Sequence, residues 1–80
     1  MDFFTFNDAT SNQFDEPAQK LLRTLAEVHG TVELRELTET NEWCVRVVTD
    51  YEGDKLPLAA LGDTPFEAAN RLIRICGIPG

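Results

Sequence analysis

The chain has 80 residues, 42% of them hydrophobic and 26% charged, and its 14 acids against 7 bases give a formal net charge of −7. A chain this short folds as one domain around one core, and none of its stretches approaches the ~20 apolar residues of a membrane span. Its acidity disfavours a phosphate backbone as ligand and makes a basic protein surface the natural complement.

The first 14 residues, MDFFTFNDATSNQF, read as an aromatic N-terminal arm preceding a single domain over residues 15–80. The first charge is Asp2, so the basic region of a targeting peptide is missing and the expected compartment is the cytoplasm. Phe3, Phe4, Phe6 and Phe14 are four of the five phenylalanines. Disordered segments are poor in aromatics, so these rings are expected to be buried by a partner or by the arm folding back as an added edge strand.

From Asp15 the signals change together. Asp15 as N-cap, Pro17 in the first turn and Gly30 as stop predict a helix from Glu16 to His29. Ala18, Leu21, Leu22, Leu25 and Val28 make its apolar stripe, with Lys20, Arg23 and Glu27 off it. In TVELRELTE, Val32 and Leu34 share a face until Leu37 breaks the alternation, which suggests a bulge or strand end near Arg35 and Glu36. NEWCVRVVTD predicts a central strand with Trp43, Val45 and Val47 on one face and Cys44, Arg46 and Val48 on the other. KLPLAALG predicts a third strand, placed at an edge because Pro57 cannot donate to a ladder.

GDTPFEAANRLIRICG then reads as a capped helix. Thr64, Pro65 and Glu67 fall at N-cap, N1 and N3 of a capping box, and Ala69, Leu72, Ile73 and Cys76 repeat at helical spacing. Gly77 and Pro79 are the expected stop. The sum is an α+β fold of two layers, α-β-β-β-α, in which both helices cover one face of a three-stranded antiparallel meander. The other face would be uncovered, which leaves room for a homodimer through residues such as Val48 and Leu37.

Candidate chemistry is sparse. His29, the lone histidine, has no companion at metal-ligand spacing and is read as satisfying the end of the first helix. Cys44 and Cys76 lie outside any C-x-x-C spacing and away from basic segments, so both are read as small buried hydrophobes. No nucleophile, base and oxyanion donor can be assembled, so an enzyme is not expected, and no cofactor or metal is implied. The acids do group: Glu36, Glu39 and Glu42 surround one hairpin turn, and Asp50, Glu52 and Asp54 surround the other, at opposite ends of the meander. Lys20, Arg23, Arg71 and Arg74 are the bases that a nucleic acid would need on one strip between the helices.

The order of elements over residues 16–77 resembles the double-stranded-RNA-binding domain. That family carries a lysine-rich cluster where this chain has Asp63, Thr64, Pro65 and Glu67, so RNA binding does not carry over. EWCVRVV followed by GDTPFEAANRLIRI, within residues 42–76, resembles the end of small phage and prophage accessory proteins, and the G-D-T-x-x-E-A turn is similar to that of HicB-type antitoxins. The resemblance implies a protein that binds another protein, in some phage cases to inhibit host defence.

The expectation is therefore a non-enzymatic acidic protein-binding module. In its sharpest form it is a phage-encoded inhibitor that docks on the basic, nucleic-acid-binding surface of a larger defence complex such as a CRISPR effector. Glu36, Glu39, Glu42, Asp50, Glu52 and Asp54 would supply charge, with Phe3, Phe4, Phe6 and Tyr51 as anchors. The alternatives are an antitoxin-like adaptor, which would use the sheet face bearing Cys44 and Val48, and a degenerate nucleic-acid-binding domain.

Overall fold

A computed structural model describes residues 3–76, with the side chains of Asp50 and Tyr51 outside the description. In chain order it contains β1 (Phe4–Thr5), a 3-10 turn (Ser11–Gln13), α1 (Glu16–His29), β2 (Val32–Leu37), β3 (Glu42–Tyr51), β4 (Asp54–Gly62) and α2 (Pro65–Cys76). The α+β class stands, but the antiparallel sheet has four strands in the order β1-β2-β3-β4 where the sequence predicts three. The additional strand comes from the aromatic arm. Phe4 pairs with Leu34 and Thr5 with Glu33, and the Phe6 N–H donates to the Val32 carbonyl at 2.8 Å.

The polar residues between the phenylalanines explain why the arm folds back. Asn7 Oδ1 accepts from the N–H groups of Ala9 and Thr10 at 2.9 and 3.1 Å, and the Thr10 hydroxyl donates to the Thr5 carbonyl at 3.1 Å. This Asx turn reverses the chain after β1. Phe14 thereby returns to the core, where it is 7% exposed. Its ring lies 6.2 Å from Phe4, 6.0 Å from Phe6 and 6.1 Å from Trp43, an aromatic cluster at the β1 side of the molecule.

Helix α1 has the predicted bounds, but Asp15 at its N-cap makes no side-chain capping bond. The start is held instead by Gln19, whose Nε2 donates to the Phe14 carbonyl at 2.7 Å. Ala18, Leu22 and Leu25 are buried, whereas Val28, expected in the same stripe, is 56% exposed. At 100° per residue Val28 sits about 90° around the helix from the mean direction of those three, which puts it at the edge of the stripe. In α2 the Thr64 hydroxyl accepts from the Glu67 N–H at 3.1 Å, which is half of the predicted capping box. The other half is lost because the Glu67 carboxylate pairs with Arg71 one turn on, at 2.8 Å. The predicted stop at Gly77 and Pro79 lies outside the described residues.

Strand β2 runs from Val32 opposite Val47 to Leu37 opposite Glu42 in unbroken register, so the expected bulge does not form. Leu37 breaks the apolar alternation because it belongs to the face of Glu33 and Arg35, and the backbone stays regular. β3 is central, and β4, with Pro57, is an edge strand as predicted. Val32, Leu34, Val45, Val47 and Ala60 supply the buried face of the sheet. Leu22 and Leu25 of α1 and Ala69, Leu72 and Ile73 of α2 close over them. Each such aliphatic side chain contributes roughly 1.5–3 kcal/mol when buried. The opposite face of the sheet is covered by none of the described elements.

Gly62 sets how closely α2 approaches this sheet. It stands opposite Trp43 at the end of β4, and a Cβ there would lie 2.5 Å from the backbone nitrogen of Ala68. The absence of a side chain lets the first turn of α2 sit directly on the strand end and beside the indole.

Candidate interaction site

Both helices begin at the same end of the molecule, the end that also carries the β2–β3 turn. Between their first turns a cleft of about 550 Å3 opens, with Phe14, Pro17, Trp43, Pro65 and Phe66 as its apolar lining and Gln13, Asp15 and Thr64 among them. Trp43 is held from one side by Phe14, with ring planes 74° apart, and by Phe4, with planes 85° apart. Phe66 is 40% exposed. It continues the stripe of Ala69 and Ile73 by one turn toward the helix start and shares the cleft with Trp43.

Carboxylates stand around this cleft. Asp15, not engaged in capping, is in its wall. Glu36 is paired directly opposite Trp43 and shares its face, and Asp63 precedes Thr64. The turn of residues 38–41 follows, closed by a hydrogen bond from the Thr40 N–H to the Leu37 carbonyl at 3.3 Å, with Asn41 at φ 56°. Glu39 on this turn is exposed, and Glu36 and Glu42 are half-buried. Two convergent helix N-termini bring about half a positive charge each, which the full charges of Asp15, Glu16 and Asp63 exceed. The cleft is therefore an apolar slot in a negative surround.

The second acidic group has different surroundings. Glu52 and Gly53, at φ 51° and 85°, form a two-residue turn of the primed kind that suits the twist of a hairpin. Residues 52–57 are all exposed. Glu52 and Asp54 project there into solvent, while the side chains of Asp50 and Tyr51 lie outside the described residues. The two acidic turns are at opposite ends, as the meander predicts.

The arm's phenylalanines are largely consumed by the fold. Phe4 and Phe6 pack against the core, and Phe3 lies under the Arg46 guanidinium, 4.0 Å from its ring centroid. As partner anchors Phe4 and Phe6 would have to leave the sheet, and the added-edge-strand reading of the arm is the one that forms. The four helix bases do not make one strip. Arg71 reaches the β4 edge, donating to the Leu61 carbonyl at 2.7 Å, while Arg23 lines a depression beside Phe6 and Asn7 at the β1 edge.

His29 ends α1 with its Nε2 buried and without a hydrogen-bond partner, so the expected contact with terminal carbonyls is not made through that atom. Cys44 and Cys76 are free and half-buried, less enclosed than predicted, and burial pushes both thiols above their ordinary value. At Cys44 the nearby Arg46 and Arg35 oppose that rise without cancelling it. Among the described residues no three His, Cys, Asp or Glu side chains converge on a metal-sized site, and no helix is long and apolar enough to cross a membrane.

Sequence reasoning placed Trp43 on one face with Val45 and Val47 and gave Phe66 no role. The signal was present, since an aromatic one turn ahead of a helix's buried stripe sits where the helix starts and is left half-exposed. Comparison with known protein families, with characterised proteins and with solved structures finds no match for this chain.

Proposed function

We propose that this chain is a non-enzymatic, acidic protein-binding module that docks on a basic surface of a larger partner through the end bearing the Trp43–Phe66 cleft. One observation carries the reading: an aromatic slot, open to solvent, has Asp15 in its wall and Glu36 cross-strand from its Trp43, at the end of the molecule that carries the β2–β3 turn with Glu39. Aromatic rings in a partly formed pocket supply affinity, and surrounding carboxylates supply orientation and association rate. A side chain that fits is the apolar stem and cationic head of a partner's arginine or lysine, which stacks on Trp43 or Phe66 while its charge meets a carboxylate.

In its sharpest form the module is an inhibitor. Glu36, Glu39 and Glu42 would stand where phosphates lie in a nucleic-acid-binding groove, with Glu52 and Asp54 as a second, separate contact. The test is capture of partners by the tagged protein from nuclease-treated lysate, followed by competition with a polyanion such as heparin. Capture that survives nuclease, is displaced by heparin and is lost in Phe66→Ala supports the reading. Recovery that depends on intact nucleic acid, or that is indifferent to Phe66, overturns it.

A further inference from the structure

The sheet face opposite the helices differs in character from the acidic end. Register places Leu37, Cys44, Val48, Pro57 and Leu61 on it, and Val48 and Leu61 are 38% and 42% exposed. Its described charges are Arg35, Arg46 and Lys55 against Glu33 and Glu42, so it is close to neutral on a chain of net charge −7. A basic partner gains nothing here, and two copies of the chain, which repel each other elsewhere, do not repel across this face.

The patch is also self-complementary and rigid. It carries both signs of charge, so two identical patches facing each other across a two-fold axis can pair opposite charges. Arg46 is fixed by Glu33 at 2.8 Å and by stacking on Phe3, so it loses little freedom on association. Arg35 makes no ion pair among the described residues, and carboxylates of a facing copy would supply one. We infer that the protein self-associates face to face through this open side of the sheet, independently of the partner docking proposed above. Four strands at about 4.8 Å spacing present a footprint only about 15 Å wide, which sets the dimer at the small, micromolar end of specific interfaces.

Sedimentation velocity of the full chain from about 1 to 500 μM tests this, over the concentration range a micromolar dimer implies. The expected result is a monomer–dimer equilibrium weakened at least about tenfold by Leu61→Lys or Val48→Lys, as at a residue inside an interface. Val28→Lys and Ile75→Lys, on exposed helix positions, should leave it unchanged. Higher salt should change the dimer little, because it screens both the general repulsion of two acidic chains and the cross-face pairs of Arg35, whereas it weakens docking at the acidic end, so the two readings fail separately. A chain that stays monomeric throughout, or a dimer indifferent to Leu61→Lys, overturns the inference, as does a face that binds only a foreign protein.

Discussion

The two acidic turns are alike in sequence and unlike in space. Each has three carboxylates within a few residues, yet the β2–β3 turn lies at the end where Glu36 stands opposite Trp43 of the aromatic cleft, and the β3–β4 turn stands in solvent. The difference lies in what the rest of the chain brings to each end. Both helix starts, the end of β4 and the return of the arm converge beside Trp43, whereas at the β3–β4 turn the chain only reverses. Charge without an apolar neighbour steers a partner but holds it weakly, since exposed ion pairs contribute about 0–1 kcal/mol. Of two similar acidic clusters, only one has the means to anchor what it attracts.

The glycines at the two ends of β4 give the largest test of this contrast. Gly62→Ala forces a methyl to within 2.5 Å of the Ala68 backbone, so α2 must move off Trp43. A loss of about 3 kcal/mol is expected, with the cleft disordered. Gly53→Ala meets no atom within 4 Å and costs only the left-handed backbone at φ 85°, about 1 kcal/mol. Urea unfolding of both variants checks the order, and equal losses would mean that the cleft end is no more tightly built than the turn. Binding offers the next contrast. Phe66→Ala removes a half-exposed ring, leaves the fold intact by circular dichroism, and should weaken the captured partner by about 2 kcal/mol. Leu56→Ala, equally exposed but beside the other turn, should change binding little.

How much of this was legible depends on whether the signal was local. Helix α1, the capped start of α2, the central position of β3 and the edge position of β4 follow from periodicity, capping residues and Pro57, all read within a few residues. The fourth strand was harder, because β1 is two residues long and is specified by Asn7 and Thr10 turning the chain back. Leu37 misled because one apolar residue on the open face looks the same in sequence as a bulge. The cleft combines residues 13–15, Pro17, Trp43 and residues 64–66, and no window of the sequence contains that conjunction. The acidic turns were visible, but not that only one of them has an anchor beside it.

Charge neutralisation sharpens the comparison further. Changing Glu36, Glu39 and Glu42 to Gln removes steering at the end where docking is completed, and should lower the association rate at low salt by about tenfold. Glu52→Gln with Asp54→Asn should lower it only by the smaller effect of distant charge. Stopped-flow or interferometry at two ionic strengths with the captured partner resolves the two. If both variants lose the same rate, the partner reads total charge and the cleft confers no orientation.

The smallest expected effect concerns the two thiols, one at each end. Burial raises both above the ordinary 9.0, but only Cys44 has arginines beside it, Arg46 and Arg35, pulling its value back. A thiol is neutral when protonated, so a raised folded value means that the native state holds the proton more firmly than the unfolded chain. The associated stability is complete below pH 9 and is lost as pH rises through the folded values. Alkylation by iodoacetamide at pH 8.5 should therefore be slower at both thiols in the native protein than in urea. Arg35→Ala should slow Cys44 further by removing an attraction to the thiolate, while leaving Cys76 unchanged. Faster modification of Cys44 in that variant would mean that Arg35 shields the sulfur sterically, and that the open face near Cys44 is governed by access instead of charge.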